Sequence, residues 1–146
     1  MAQNVNPTFV KSPNAGIARI SNTSSASSIV TVYTGGTNGS KVNSLVAAAV
    51  NTTAAFDIQW GIQSGSTIGL IGTSSVPIGA GQVSSVPSVN LFNMNSCPGL
   101  SLDSDGNPYC FLPSTGWSLF VSVTASSTLW AAGAAVIVTI TSAGDF

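Results

Sequence analysis

The chain has little charge of either sign and contains neither histidine nor glutamate. Only seven of its 146 residues are charged, about 5%, against about 25% in ordinary soluble domains. Without histidine there can be no Ser-His-Asp or Cys-His catalytic arrangement and no imidazole ligand for a metal. All four acidic residues are aspartates, and Asp103 and Asp105 share one turn, so no glycosidase pair of opposed carboxylates is evident. Since no glycine-rich phosphate-binding motif occurs either, we predict a protein that is not an enzyme and has no cofactor or metal.

Positive charge is too scarce for several classes of partner. Three basic residues cannot neutralise enough phosphates for nucleic-acid binding, and they give little attraction to anionic lipid. The longest apolar stretch, residues 129–140, is too short to cross a bilayer, and the first residues lack the pattern of a secretory signal. We therefore expect synthesis in the cytoplasm and neither nucleic acid nor membrane as a partner. With a net charge of −1, identical copies repel one another little, which favours close packing.

The main positive signal is a period of two in the hydrophobic pattern, which is typical of β-strands. Residues 56–63 (FDIQWGIQ) and 117–124 (WSLFVSVT) alternate most clearly. The alternation predicts that one face of each strand points into a core, with the inward residues Phe56, Ile58, Trp60, Ile62, Leu119, Val121 and Val123. Further strands are predicted over residues 14–20, 28–34, 41–51, 66–72, 88–94, 108–112 and 134–141.

Turn signals at short intervals separate these segments, including the Asn38-Gly39 pair. An Ala-rich segment, residues 44–55, also permits a helix, but its β-branched residues favour a strand. Eight or nine short strands in one chain of this length predict an all-β, single-domain antiparallel β-sandwich, with a jelly roll as the expected connectivity. The polar, proline-containing residues 1–13 are predicted to be an extended arm, and residues 14–146 the sandwich domain.

Two cysteines, Cys97 and Cys110, flank the segment PGLSLDSDGNPY. If the segment is a hairpin, the two thiols face each other and can form a disulfide, which we predict; the alternative is a pair of buried free thiols in a reducing cytosol. The tip itself, residues 103–107 (DSDGN), has the alternating oxygen donors of a calcium loop. It lacks the later bidentate glutamate, so we interpret it as a turn.

Several large aromatic residues are candidates for contacts outside the core. Trp60 and Trp117 are in phase with apolar strand faces and are predicted to be buried. Trp130 follows a Ser/Thr-rich stretch and fits either the core or a subunit interface. Phe9 and Phe146 lie near the two chain ends, where a monomer would leave them in water. We therefore predict interface roles for Phe9, Trp130 and Phe146, with the arm and residues 144–146 reaching onto neighbouring subunits.

Turn and strand patterns over most of the chain resemble one class of viral protein. They comprise residues 30–34 (VTVYT) leading through 36–42 (GTNGSKV), residues 52–55 (TTAA), residues 112–119 (LPSTGWSL) and the ending GDF. The chain resembles the small β-sandwich decoration or cement proteins of tailed bacteriophages. The resemblance implies a structural virion protein on the capsid surface. It would bind the major capsid protein and itself, as a dimer or trimer. The loop around the two cysteines is longer than in that pattern.

Two other functions remain open from the sequence. A tail or fibre component of a virion could use the same sandwich in a ring or stalk. A carbohydrate-binding module would instead present exposed aromatic side chains for stacking on sugars, with Tyr33, Tyr109 and Trp130 as the candidates.

Overall fold

A computed structural model describes residues 12–21, 28–124 and 131–146 of the chain. These residues contain eleven β-strands and no helix. In chain order the strands are β1 (Ser12–Ser21), β2 (Val30–Thr34), β3 (Ser40–Val42), β4 (Val46–Val50), β5 (Phe56–Ser64), β6 (Thr67–Val76), β7 (Val89–Asn90), β8 (Ser101–Leu102), β9 (Pro108–Leu112), β10 (Trp117–Val123) and β11 (Ala135–Asp145).

The strands form two antiparallel sheets that pack together as a β-sandwich. The larger sheet runs β7-β4-β11-β3-β9-β8, and β1 pairs with the other side of β11. The smaller sheet runs β2-β10-β5-β6. Strand β11 is long and pairs with two strands along the same edge: residues 135–139 pair with β4, and residues 143–145 pair with β3. The predicted all-β sandwich is thereby confirmed, while the jelly-roll connectivity remains a prediction.

The core lies between the sheets and follows the period of two. Phe56, Ile58 and Trp60 alternate into it from β5, and Ile62 is half-buried at its margin. The inward residues of β10 that the alternation predicted, Leu119, Val121 and Val123, are also buried. Burial of a large apolar side chain contributes about 1.5–3 kcal/mol, so these alternating strands supply much of the free energy that holds the sheets together.

The strand boundaries differ from the predicted ones where the chain turns. The segment 41–51 is two strands, β3 and β4, because residues 43–45 leave the sheet between them. The helix alternative for this segment is wrong, since β4 pairs with both β7 and β11. Of the predicted strand 88–94 only β7 forms, and the short strand β8 was not predicted.

The two chain ends meet in the larger sheet. Strand β1 begins at Ser12, and Ser12 and Pro13 pair with Asp145 and Gly144, so these two residues extend the sandwich rather than the arm. Gly144 and Asp145 belong to β11, and the Phe146 N–H donates to the Gly39 carbonyl at 3.1 Å. The backbone of residues 144–146 is thus held by its own subunit, while contacts of these residues with neighbouring subunits remain a prediction. Residues 1–11, including Phe9, lie outside the described residues, as does Trp130.

Candidate functional site

Strand β9 presents aromatic side chains on the outer face of the larger sheet. Successive residues of a strand point to opposite faces, so Cys110 and Leu112 are buried while Phe111 is 47% exposed and Tyr109 is half-buried. Two further apolar residues extend this face: Leu102 on β8, which is 49% exposed, and the C-terminal Phe146. The rings of Phe111 and Phe146 have centroids 6.0 Å apart and are tilted by 39°, which is a favourable aromatic contact.

A groove of about 560 Å³ lies between these side chains, and we call it the aromatic groove. Its lining includes Asn38, Leu102, Tyr109, Phe111 and Phe146. The 36–39 turn holds Phe146 at one end of the groove. The Phe146 backbone N–H donates to the Gly39 carbonyl, and the Phe146 carbonyl oxygen accepts a hydrogen bond from Asn38 Nδ2 at 3.2 Å. Gly39 has φ of +96°, and a Cβ there would lie 3.0 Å from the Phe111 ring. Glycine therefore permits both the turn and the position of that ring.

The groove contains one pair of opposite charges. Lys41 Nζ lies 3.9 Å from Asp103 Oδ2 and 4.5 Å from the centre of the Tyr109 ring, which is the distance of a cation–π contact. Lys41 is also directly opposite Phe111 across the β3–β9 pair. The groove therefore combines aromatic and apolar side chains with the paired charges of Lys41 and Asp103.

The DSDGN segment forms a closed turn. Asp103 Oδ1 accepts from the backbone N–H groups of Asn107 at 2.8 Å and Asp105 at 3.0 Å, and Gly106 has φ of +81°. These hydrogen bonds, first that of Asn107, lower the pKa of Asp103. In the described part of the chain, no three potential metal-ligating side chains come together. One oxygen of the Asp103 carboxylate, Oδ1, is thus engaged in closing the turn.

A second polar cluster surrounds Asp145 on the inner side of the sheet. Its Oδ1 accepts hydrogen bonds from the Tyr33 hydroxyl at 2.8 Å and from the Ser40 hydroxyl, and its Oδ2 accepts from Asn14 Nδ2 at 2.8 Å. The hydrogen bonds from Ser40 and Tyr33 lower the pKa of Asp145. Burial, and next the hydrogen bond to Asp145, raise the pKa of Tyr33. Both oxygens of the Asp145 carboxylate accept hydrogen bonds from residues of neighbouring strands, so the cluster has a structural role.

The remaining candidate residues lie elsewhere. Cys97 and Cys110 are both free and buried, so the disulfide predicted from their spacing is not formed, and the alternative of two free thiols holds. Cys97 belongs to the 91–100 loop, where it lies near Trp60 and Gly72, whereas Cys110 points inward from β9. Burial raises the pKa of the Cys110 thiol to about 11, so it is unreactive at neutral pH.

Of the aromatic residues proposed for sugar stacking, the structure describes Tyr33 and Tyr109, and of these two only Tyr109 is placed to meet a ligand. Tyr33 is buried and bonded to Asp145, so its ring cannot stack on a sugar. Tyr109 lines the aromatic groove, and Trp130 is not among the described residues. Phe111 and Leu102 were not among the site residues predicted from the sequence. The signal that could have identified Phe111 is the continuous apolar run YCFL, which places hydrophobic residues on both faces of one strand.

Comparison with known proteins adds no identification. Across the described residues there is no apolar helix of membrane-spanning length. The chain matches no protein-family model, and no curated protein is significantly similar to it in sequence.

Proposed function

We propose that this protein is a structural component of a bacteriophage virion that binds the outer surface of the capsid. In this proposal it contacts the major capsid protein and forms a homo-oligomer on the shell. The proposal begins from the resemblance of the strand and turn patterns to decoration proteins. The observation that carries it further is the aromatic groove, which is open to solvent and places four partly exposed aromatic and apolar side chains beside one ion pair.

Surface hydrophobic residues that occur singly are ordinary, but adjacent ones mark contact sites. Phe111 and Leu102 are each about half exposed, and the partly exposed rings of Tyr109 and Phe146 lie beside them. Aromatic side chains in a small pocket provide much of the binding energy in protein interfaces. A contact of this kind depends little on Coulomb attraction, so salt weakens it little. Many copies on one shell also need only modest affinity each, because multivalent docking strengthens the whole.

The test measures binding to particles that lack this protein. We expect the purified chain to sediment with such particles, and Phe111→Ser to weaken this binding at least about tenfold, which corresponds to about 1.4 kcal/mol. Since Phe111 is half exposed, we expect the variant to stay folded. Ile78→Ser is the matched control, because Ile78 is similarly exposed, at 52%, but lies outside the aromatic groove. Equal binding by wild type and Phe111→Ser would show that the groove is not the docking site.

Carbohydrate binding is the second candidate, and the same groove supports it. Sugar sites combine aromatic faces with hydrogen-bonding groups, and here Tyr109 and Phe111 lie near Asn38, Asp103 and Ser104. One face of Tyr109 is occupied by Lys41, which reduces the area available for stacking. A glycan array separates the two functions. Binding to a sugar, lost in Phe111→Ser, together with no binding to particles would favour the carbohydrate module.

A tail or fibre role would appear as binding to tails instead of capsids.

A further inference from the structure

The edge strands of the sandwich differ in how well they are protected against pairing with another chain. An edge strand exposes unpaired backbone groups, and soluble proteins shield them with short length, charge, proline or bulges. In the larger sheet β7 and β8 have two residues each, while β1 contains Pro13, Arg19 and a register shift. In the smaller sheet β2 has five residues and lies against β1. Strand β6, at the other edge, has ten residues without a charge or a proline.

The chain itself covers only part of β6. Gly72 lies against Cys97, and Thr73, Ser74 and Ser75 border a polar depression together with residues of the 90–96 segment. A bulge between Leu70 and Gly72 separates this part from the rest of the strand. Residues 67–70, which we call the open half of β6, are all exposed, with Ile68 at 46% and Leu70 at 61%.

The open half carries apolar side chains and no repelling charge. Ile68 and Leu70 are two residues apart and therefore point to the same face, where Gln63 is the cross-strand neighbour of Ile68. The one charged residue of the β5–β6 hairpin is Asp57, which pairs with Ser75 at the far end. Two copies of this segment can thus approach each other without bringing like charges together, and each would cover the exposed isoleucine and leucine of the other.

We propose that the open half of β6 is the self-association surface of this protein and that its occupant is the same segment of a second copy. Two identical strands related by a two-fold axis run antiparallel, so their backbone groups pair and the two smaller sheets become one continuous sheet. The proposal rests on the homo-oligomer of the proposed function and specifies it as a dimer. Leu70 also borders a depression with Tyr109 and Phe111, so this surface adjoins the aromatic groove.

The test is a charge exchange in the full chain. Ile68→Lys with Leu70→Lys gives a basic variant, and Ile68→Glu with Leu70→Glu gives an acidic one. We expect wild type to have twice the 14.6 kDa chain mass in light scattering after size exclusion. Each variant alone should have a dimer dissociation constant at least about tenfold higher, because like charges then face each other. An equimolar mixture should form the mixed dimer, detected by native mass spectrometry, because opposite charges then face each other.

Recovery in the mixture shows that the variants are folded, so misfolding cannot imitate the expected result. The control, Ile17→Lys with Ile78→Lys, adds the same charge at two other exposed positions and should leave the dimer unchanged. A monomeric or trimeric wild type, or a mixture without mixed dimers, would overturn the β6 dimer. Particle binding is scored separately: a monomer that binds particles refutes this inference alone, and a β6 dimer that does not bind them refutes the capsid proposal alone.

Discussion

The carboxylate of Asp145 connects strands of both sheets at one end of the sandwich. Through Asn14, Ser40 and Tyr33 it joins β11 to β1 and β3 of the larger sheet and to β2 of the smaller one. The Ser40 hydroxyl in turn accepts the Gly36 N–H at 2.7 Å, so the network extends into the turn before β3. A hydrogen bond to a charged group contributes more than one between neutral groups, which makes this residue a sensitive point for stability.

We expect Asp145→Asn to lower the free energy of unfolding at pH 7 by about 1–2 kcal/mol, at the low end for charged hydrogen bonds because the site is partly exposed. The folded-state pKa of Asp145 is depressed, so its contribution is complete above the unfolded pKa of about 3.9 and is lost as pH falls through the folded value. Wild type should therefore lose more stability than Asp145→Asn between about pH 5 and pH 2.

Urea denaturation at a series of pH values measures this difference. Asp57→Asn is the control, because Asp57 is exposed and its side chain is not part of the Asp145 cluster. If both variants show the same stability and the same pH dependence as wild type, the Asp145 network does not hold the two sheets together.

At the scale of the element, the β8–β9 hairpin determines the shape of the aromatic groove. Strands β8 and β9 are joined by the turn that Asp103 closes, and the same residue pairs with Lys41 across the groove. Because Leu102 directly precedes this turn, loss of the turn would displace one side of the groove. The hairpin therefore links a local turn motif to the site that we propose for capsid binding.

We expect Asp103→Ala to lower the melting temperature, since it removes the acceptor of two backbone hydrogen bonds. It should also weaken particle binding. Asp105→Ala is the matched control, because Asp105 belongs to the same turn and contributes its backbone N–H, not its side chain, to the turn.

Calcium or a chelator should leave the melting temperature of wild type unchanged. A calcium-dependent rise that both substitutions remove would instead identify the turn as a metal site.

The sequence predicted the strands better than their surroundings. Alternation in residues 56–63 and 117–123 indicated the inward residues of β5 and β10 correctly, because both are interior strands of the smaller sheet. It did not indicate that Phe120 and Ser122, on the other face of β10, are buried as well. The same periodicity in Ile68 and Leu70 would have suggested burial, but these residues lie on an edge strand beyond the core. The pattern specifies which residues share a face, whereas only the packing of distant strands decides whether that face is covered.

For the whole molecule, the local sequence pattern was a good guide to the fold class and a poor guide to the candidate functional site. Short alternating segments and turn residues are local features, and they were sufficient to predict an all-β sandwich. The aromatic groove instead joins residues far apart in the chain, including Asn38, Phe111 and Phe146, and no local spacing brings these three together. The disulfide between Cys97 and Cys110 was likewise predicted from local spacing, because both cysteines flank one hairpin. In the structure both thiols are free, and Cys97 lies in a loop near Trp60.

We propose that this sandwich is a capsid-surface protein that meets the shell through its aromatic groove. Electron cryo-microscopy of purified virions, with the chain fitted into the density, tests this claim most directly. We expect one sandwich density repeated over the outer shell, with Phe111, Leu102 and Phe146 against the major capsid protein. Particles that lack this density, or that carry it with the aromatic groove facing solvent, would contradict the account.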